Sequence, residues 1–354
     1  MSEGNKRDAV APESKAQDTK KTSKGKKTAL ITVAVIVGLL LLLVSAFFIL
    51  RAIGKSSMTS DGSSVDFSNV DSAELTDEGY VRYNGKLYKY NDEISCILLM
   101  GVDDYEKGDG SEPHQTDVNV LAVLDPVNEK ISLIAISRDA MCNMEIYDID
   151  TGEFEGMAKA QLALAYSYGG GGEKSCELTV NAVSDLFFGI EIPAYASIYL
   201  DGLSEIVDSV GGVDVTPVTS FGRFTKGETV RLKGGLTEAY IRPREYTLQG
   251  NSERMQRQNQ LLRGLVQKAL SVARTDPTQV IDIYGSVSDN VETSLGLAMM
   301  VYLADAAADM SFDGNIYTVE GEAVMGKQQH AEFYVDEDAL FELVLDIFYI
   351  PVKE

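Results

Sequence analysis

Three apolar runs follow one another closely: ISCILLMG over 94–101, VNVLAVL over 118–124 and KISLIAI over 130–136. Each has strand length without strict polar alternation, the pattern of strands covered on both faces of a sheet. Asp125-Pro126 and Asn128 supply the turn between the second and third. Upstream, YVRYNGKLYKY (80–90) alternates aromatic with polar residues around Asn84-Gly85, a hairpin signal. Downstream the spacing becomes helical over Met157–Tyr168, Cys176–Phe188, Leu203–Val210, Glu253–Ala273, Pro277–Val287, Leu295–Asp309 and Asp338–Phe348. Short strands are expected at Tyr195–Leu200, Val213–Val215 and Asn315–Val319, and Gly235–Ile241 reads as a short helix running into strand. Strands interleaved with helices imply one α/β domain with helices packed on a mostly central sheet.

The N-terminal part has a different character. Residues 1–28 carry eight Lys/Arg against four acids, and the remainder carries 23 against 50. Between them ALITVAVIVGLLLLLVSAFFIL (29–50) runs for 22 residues without a charge, long enough for a bilayer core. Its basic flank places the N-terminus in the cytoplasm. The expectation is a disordered basic tail (1–28), a transmembrane signal anchor (29–50), an extracellular tether (51–78) and an extracellular domain (79–354).

Composition excludes several functions. A net charge of −23 argues against nucleic acid as a partner, because phosphate backbones are bound by basic faces. A 28-residue tail cannot bury enough apolar surface for a DNA-binding domain. Two histidines, His114 and His330, leave little for a histidine-based metal centre, and three cysteines are too few for a four-cysteine zinc site. Cys96 lies in a buried-type strand, whereas Cys142 and Cys176 fall where disulfides form, so a Cys142–Cys176 bridge is expected.

Residues 223–274 form a basic island, eleven Lys/Arg against four Glu. For Lys226, Lys233 and Lys268 a solvated face explains the charge. Arg242 and Arg244 are two apart, hence on one face of a strand, and Arg254 and Gln258 are four apart, hence on one face of a helix. Such a set can converge on one anion, for which the planar guanidinium is suited. Asp103 and Asp104 follow the first apolar run, Asp117 opens the second and Arg138-Asp139 ends the third. Ends of neighbouring strands are where open α/β sheets hold ligands, and carboxylates there suit Mg2+ bridged to phosphate.

ISCILLMGVD (94–103), Thr116-Asp117, ISRD (136–139), YSYGG (166–170), IVDSVGGVDV (206–215), YIRPR (240–244) and RMQRQ (254–258) stand in the order seen in LytR-CpsA-Psr proteins. The chain resembles that family from about Glu93 to Ala273. The resemblance implies an αβα sandwich with an apolar pocket for a polyprenyl chain. It also implies a phosphotransferase that moves a glycopolymer, such as teichoic acid or capsule, from a polyprenyl-pyrophosphate carrier to peptidoglycan, aided by Mg2+. By motif, Asp103 and Asp117 correspond to the metal-side carboxylates. Arg138, Arg242, Arg244, Arg254 and Gln258 correspond to the pyrophosphate set, with Asp117, Arg138, Arg242 and Arg244 at the reaction centre. The chain departs from the family pattern at Ser137 (usually Pro), at Gln115 and Cys142 (often Arg) and at Asn251 (often Asp). These losses remove two charges and a candidate acid or base, so a non-catalytic polyprenyl-phosphate-binding module is the alternative.

Overall fold

The computed structural model describes residues 42–352, apart from 43, 77, 104–113, 149–150, 200–201, 244–247, 277–278, 280–282, 284, 287 and 328–329. The expected tail, residues 29–41 and 43 of the expected anchor, Asp104 and Arg244 therefore lie outside the described residues. Two compact units divide at Ile49/Leu50. In the first, residues 42 and 44–49 are helical (α1) and expose Val44, Phe47, Phe48 and Ile49. Among the described residues no helix is long and apolar enough to cross a membrane.

The second unit is built on a six-stranded mixed sheet. Its strands are β1 (Ser95–Asp103), β2 (Gln115–Asp125), β3 (Lys130–Ile136), β4 (Ala194–Tyr199), β5 (Val291–Thr293) and β6 (Ile316–Thr318), in the spatial order β5-β4-β1-β2-β3-β6. The three apolar runs form its centre: β1 pairs antiparallel with β2, and β2 with β3. On the flanks, β4 is parallel to β1 and β6 is parallel to β3.

Alternation along β1 separates two cores. Cys96, Leu98, Met100 and Val102 face a cluster with α2 (Leu162–Ser167), α3 (Gly172–Leu186) and the C-terminal helix Glu337–Phe348. Ile97 and Leu99 face the other side, where α6 (Leu248–Thr275) and the helix Leu297–Asp309 pack. Helices on both faces make this an αβα sandwich, since a sheet apolar on both sides must be covered twice. A third cluster joins α4 (Leu203–Ser209), α5 (Gly235–Ile241) and α6 through Val207, Val213, Tyr240, Ile241 and Leu261. Gly264 lets α6 approach closely, because a Cβ there would lie 2.2 Å from Val213 Cγ1.

The Asn84-Gly85 turn joins Val81–Tyr83 to Lys86–Tyr90 with positive φ at both residues, as a two-residue hairpin of the primed type requires. Four expectations are corrected. Residues 154–161 are a strand paired with Met141–Tyr147, so helix begins only at Leu162. The stretch expected as a tether instead contributes Met58, Phe67 and Val70 to the two main cores. Arg242 caps the C-terminus of α5 and does not lie on a strand. No Cys142–Cys176 bridge forms: all three cysteines are free. Cys142 is buried on its hairpin with the thiol 3.8 Å from the Ala160 carbonyl, whereas Cys176 is buried on α3. Burial pushes both thiols up to about 12, so they stay protonated at neutral pH.

Candidate active site

The pairing of β1 with β2 breaks once. Gly101 pairs with Val118 but Val102 pairs with Thr116, which leaves Asp117 as the extra residue of a β-bulge. Bulges re-aim side chains, and this one turns Asp117 into a cluster of cations. One Asp117 oxygen accepts from Arg138, just beyond the end of β3. The other accepts from Arg254 Nη1 on α6 at 2.8 Å. The Asp117 side chain is 1% exposed, and those of Arg138 and Arg254 are 30% and 13% exposed. Two guanidiniums sharing one carboxylate leave a net positive trio. Asp117 organises the cations more than it neutralises them.

Around this trio the sequence candidates sort clearly. Arg138 also donates to Gln115 Oε1, so Gln115 stands beside the cations as a neutral acceptor. Asp139 lies 3.7 Å from Arg138, and burial raises its carboxyl above the ordinary range against the pull of Arg138, Arg254 and His330. Asp103 ends β1 directly across from Gln115 and is exposed. Cys142 belongs to the core on its hairpin and does not join the cations. Asn251 lies on α6, with its side chain outside the described residues. Arg254 stands in the second turn of α6.

One functional residue escaped the sequence reading. Arg257 is 5% exposed, donates from Nε to the Tyr240 carbonyl at 2.9 Å and from Nη2 to the Pro243 carbonyl, and lies 4.4 Å above the Phe221 ring. Burial pulls its guanidinium below the usual value. In the sequence it was one more cation of the basic island.

An apolar cavity of about 100 Å³ adjoins the cluster. Val118, next to Asp117, lines it with Ile241, next to Arg242, and with Gln258, one turn beyond Arg254. Its remaining walls include Leu99, Val120, Leu262 and Leu265. Two roomier clefts of about 670 and 520 Å³ lie against the hairpin Gly321–Met325/Ala331–Val335, and neither is lined by an arginine of the cluster. An apolar recess lined by the chain neighbours of Asp117 and Arg242 suits an amphiphile whose anionic head binds outside it.

The model of the LytR_cpsA_psr family matches residues 56–344. The chain belongs to this family. A relative is the polyisoprenyl-teichoic acid–peptidoglycan teichoic acid transferase TagU of Enterococcus faecalis, 29% identical over 80% of this chain and 84% of that protein. The teichoic acid transferase TagV of Bacillus subtilis is 31% identical over 57% of this chain and 51% of its own length. The crystal structure of B. subtilis TagV superposes with a TM-score of 0.57 at 25% identity, over 72% of this chain and 95% of that one. The αβα architecture is thus the family's own.

Proposed function

We propose that this chain is a transferase that moves a glycopolymer from a polyprenyl-pyrophosphate carrier to peptidoglycan. The observation that carries the reading is Asp117 shared by Arg138 and Arg254 beside an apolar recess. A pyrophosphate would be held by the arginines, Arg242 and Arg244 included, and the first carbons of the prenyl chain would enter past Gln258. A peptidoglycan hydroxyl would attack the phosphorus bonded to the polymer. Its proton passes to water, the bridging P–O bond breaks and polyprenyl phosphate leaves. Such a step needs positioning and charge neutralisation more than a protein nucleophile. The relatives named for polyisoprenyl-linked teichoic acid and peptidoglycan support the same substrates.

Asp103 and Asp117 are the residues that would hold Mg2+. Both are hard carboxylates on facing strands, the donor type Mg2+ takes besides water and substrate phosphate, and Asp117 would give up Arg138 or Arg254 to accept the ion. Bound there, the ion would neutralise charge developing on the phosphoryl oxygens. The run 29–50 would anchor the protein as a single-pass membrane protein, with the N-terminus in the cytoplasm and the domain outside.

Transfer of a lipid-linked polymer to peptidoglycan by the full-length protein tests the reading. Asp117→Asn is expected to lower the rate by about 10²–10³-fold, the usual cost of misplacing transition-state donors. Undiminished transfer in that variant would refute the site. Asn251, where an acid is common, favours one alternative, a binding module that retains the lipid without turnover. Lipid that copurifies with an inert wild-type protein would establish it.

A further inference from the structure

Arg242 holds a backbone conformation that the next residue in the sequence disfavours. It sits at the last turn of α5 with φ −77° and ψ −39°, a helical backbone. The next residue is Pro243, whose ring disfavours helical geometry in the residue before it. Helix C-termini also leave carbonyls without intrahelical partners. Something must hold this turn.

The atoms that hold it come from α6. Arg257 donates to the carbonyls of Tyr240 and Pro243, one on either side of the Ile241-Arg242 step. Its guanidinium is packed on Phe221, which itself stacks on Tyr240 with ring centroids 5.5 Å apart. The Tyr240 hydroxyl in turn donates to Gln260, again on α6. A planar fork with several fixed donors can span two carbonyls, whereas an ammonium is a point charge and cannot do so with the same geometry.

We infer that Arg257 is a positioning residue: it clamps the Tyr240–Pro243 turn onto α6 and thereby aims Arg242 at the anionic head of the substrate. Arg257 is itself buried, so it does not reach the substrate. Because Arg254 and Gln258 are on the same stretch of α6, one helix sets both its own contacts and those of the neighbouring turn. This role rests on the reading of Arg242 as a pyrophosphate ligand.

The test is a double-mutant cycle on the full-length protein, with farnesyl diphosphate as the probe of binding. Arg242→Ala and Arg257→Lys are each expected to weaken affinity about tenfold, the loss of a charge-assisted contact. The double variant is expected to be no weaker than Arg242→Ala alone, because Arg257 acts through Arg242. Losses that multiply, or wild-type affinity in Arg257→Lys, would overturn the inference while leaving the anion site standing. Wild-type affinity in Arg242→Ala would overturn the anion-site reading and this inference with it. Should Arg257→Lys not fold, Phe221→Leu removes the ring beneath the guanidinium. It must then show a smaller loss that likewise vanishes on the Arg242→Ala background, and a loss that persists there would refute the clamp.

Discussion

On one face of the central sheet Tyr166, Phe187, Phe341 and Phe348 are fully sealed, and Phe67, Tyr83 and Phe188 meet Phe341 edge to face. On the other face α6 and its neighbour present Leu262, Val266, Met299 and Leu303 only partly buried, with an apolar cavity beside Leu262. The first face is closed packing, with Phe341 held edge to face by three other rings. The second leaves space next to the arginines. The contrast assigns the faces different tasks: one holds the strand ends in place, the other keeps room for a guest.

Unequal packing should show first in stability. Phe341→Ala is expected to cost about 3–5 kcal/mol, the usual cost of an aromatic lost from a core, as read by urea unfolding. Leu262→Ala, at the partly buried cavity wall, should cost less than half as much. Equal losses would break the comparison. A sharper probe fills the cavity: Val120 is 1% exposed and lines it. Val120→Leu should change stability by less than about 1.5 kcal/mol, since the added methylene enters existing space. The same change should weaken farnesyl diphosphate binding roughly fourfold or more, as one methylene of the guest is displaced. Unchanged affinity would show that the cavity is not where the chain goes.

The smallest effect concerns Asp139 beside the cations. Its carboxyl is raised by burial, so the folded state favours the protonated form. The stability this lends is present below the unfolded value of about 3.9 and is lost as pH rises through the raised folded value. Asp139→Asn should therefore melt slightly higher than wild type at pH 7, with the gain fading toward pH 4. A melting difference that is constant across that range would contradict the assignment.

The sheet was legible because its three central strands are long apolar runs bounded by turn residues, and α6 because its leucines keep helical spacing over several turns. Residues 154–161 were not. FEGMAKAQ contains good helix formers, and only pairing with Met141–Tyr147 makes it a strand. Arg242 misled for a related reason: its two-residue spacing from Arg244 reads as one face of a strand, while the Arg257 clamp that keeps Arg242 helical comes from another element. The acids and arginines were found as types, and the arginines' spacing already allowed them to converge. Their meeting at Asp117 was not visible, because it depends on a bulge that exists only in the pairing of two strands. Cys142 and Cys176 were paired on compartment alone, which says nothing of which way each thiol faces.

That single surplus residue between Val102 and Gly101's partners has an evolutionary corollary. Excising position 117 would let the ladder close up without interruption, giving a neater sheet that no longer delivers a carboxylate to its rim. A drift toward regularity would thus take away the proposed site while leaving the scaffold intact. Among descendants of such a chain, an uninterrupted ladder at this point would mark those without the shared carboxylate.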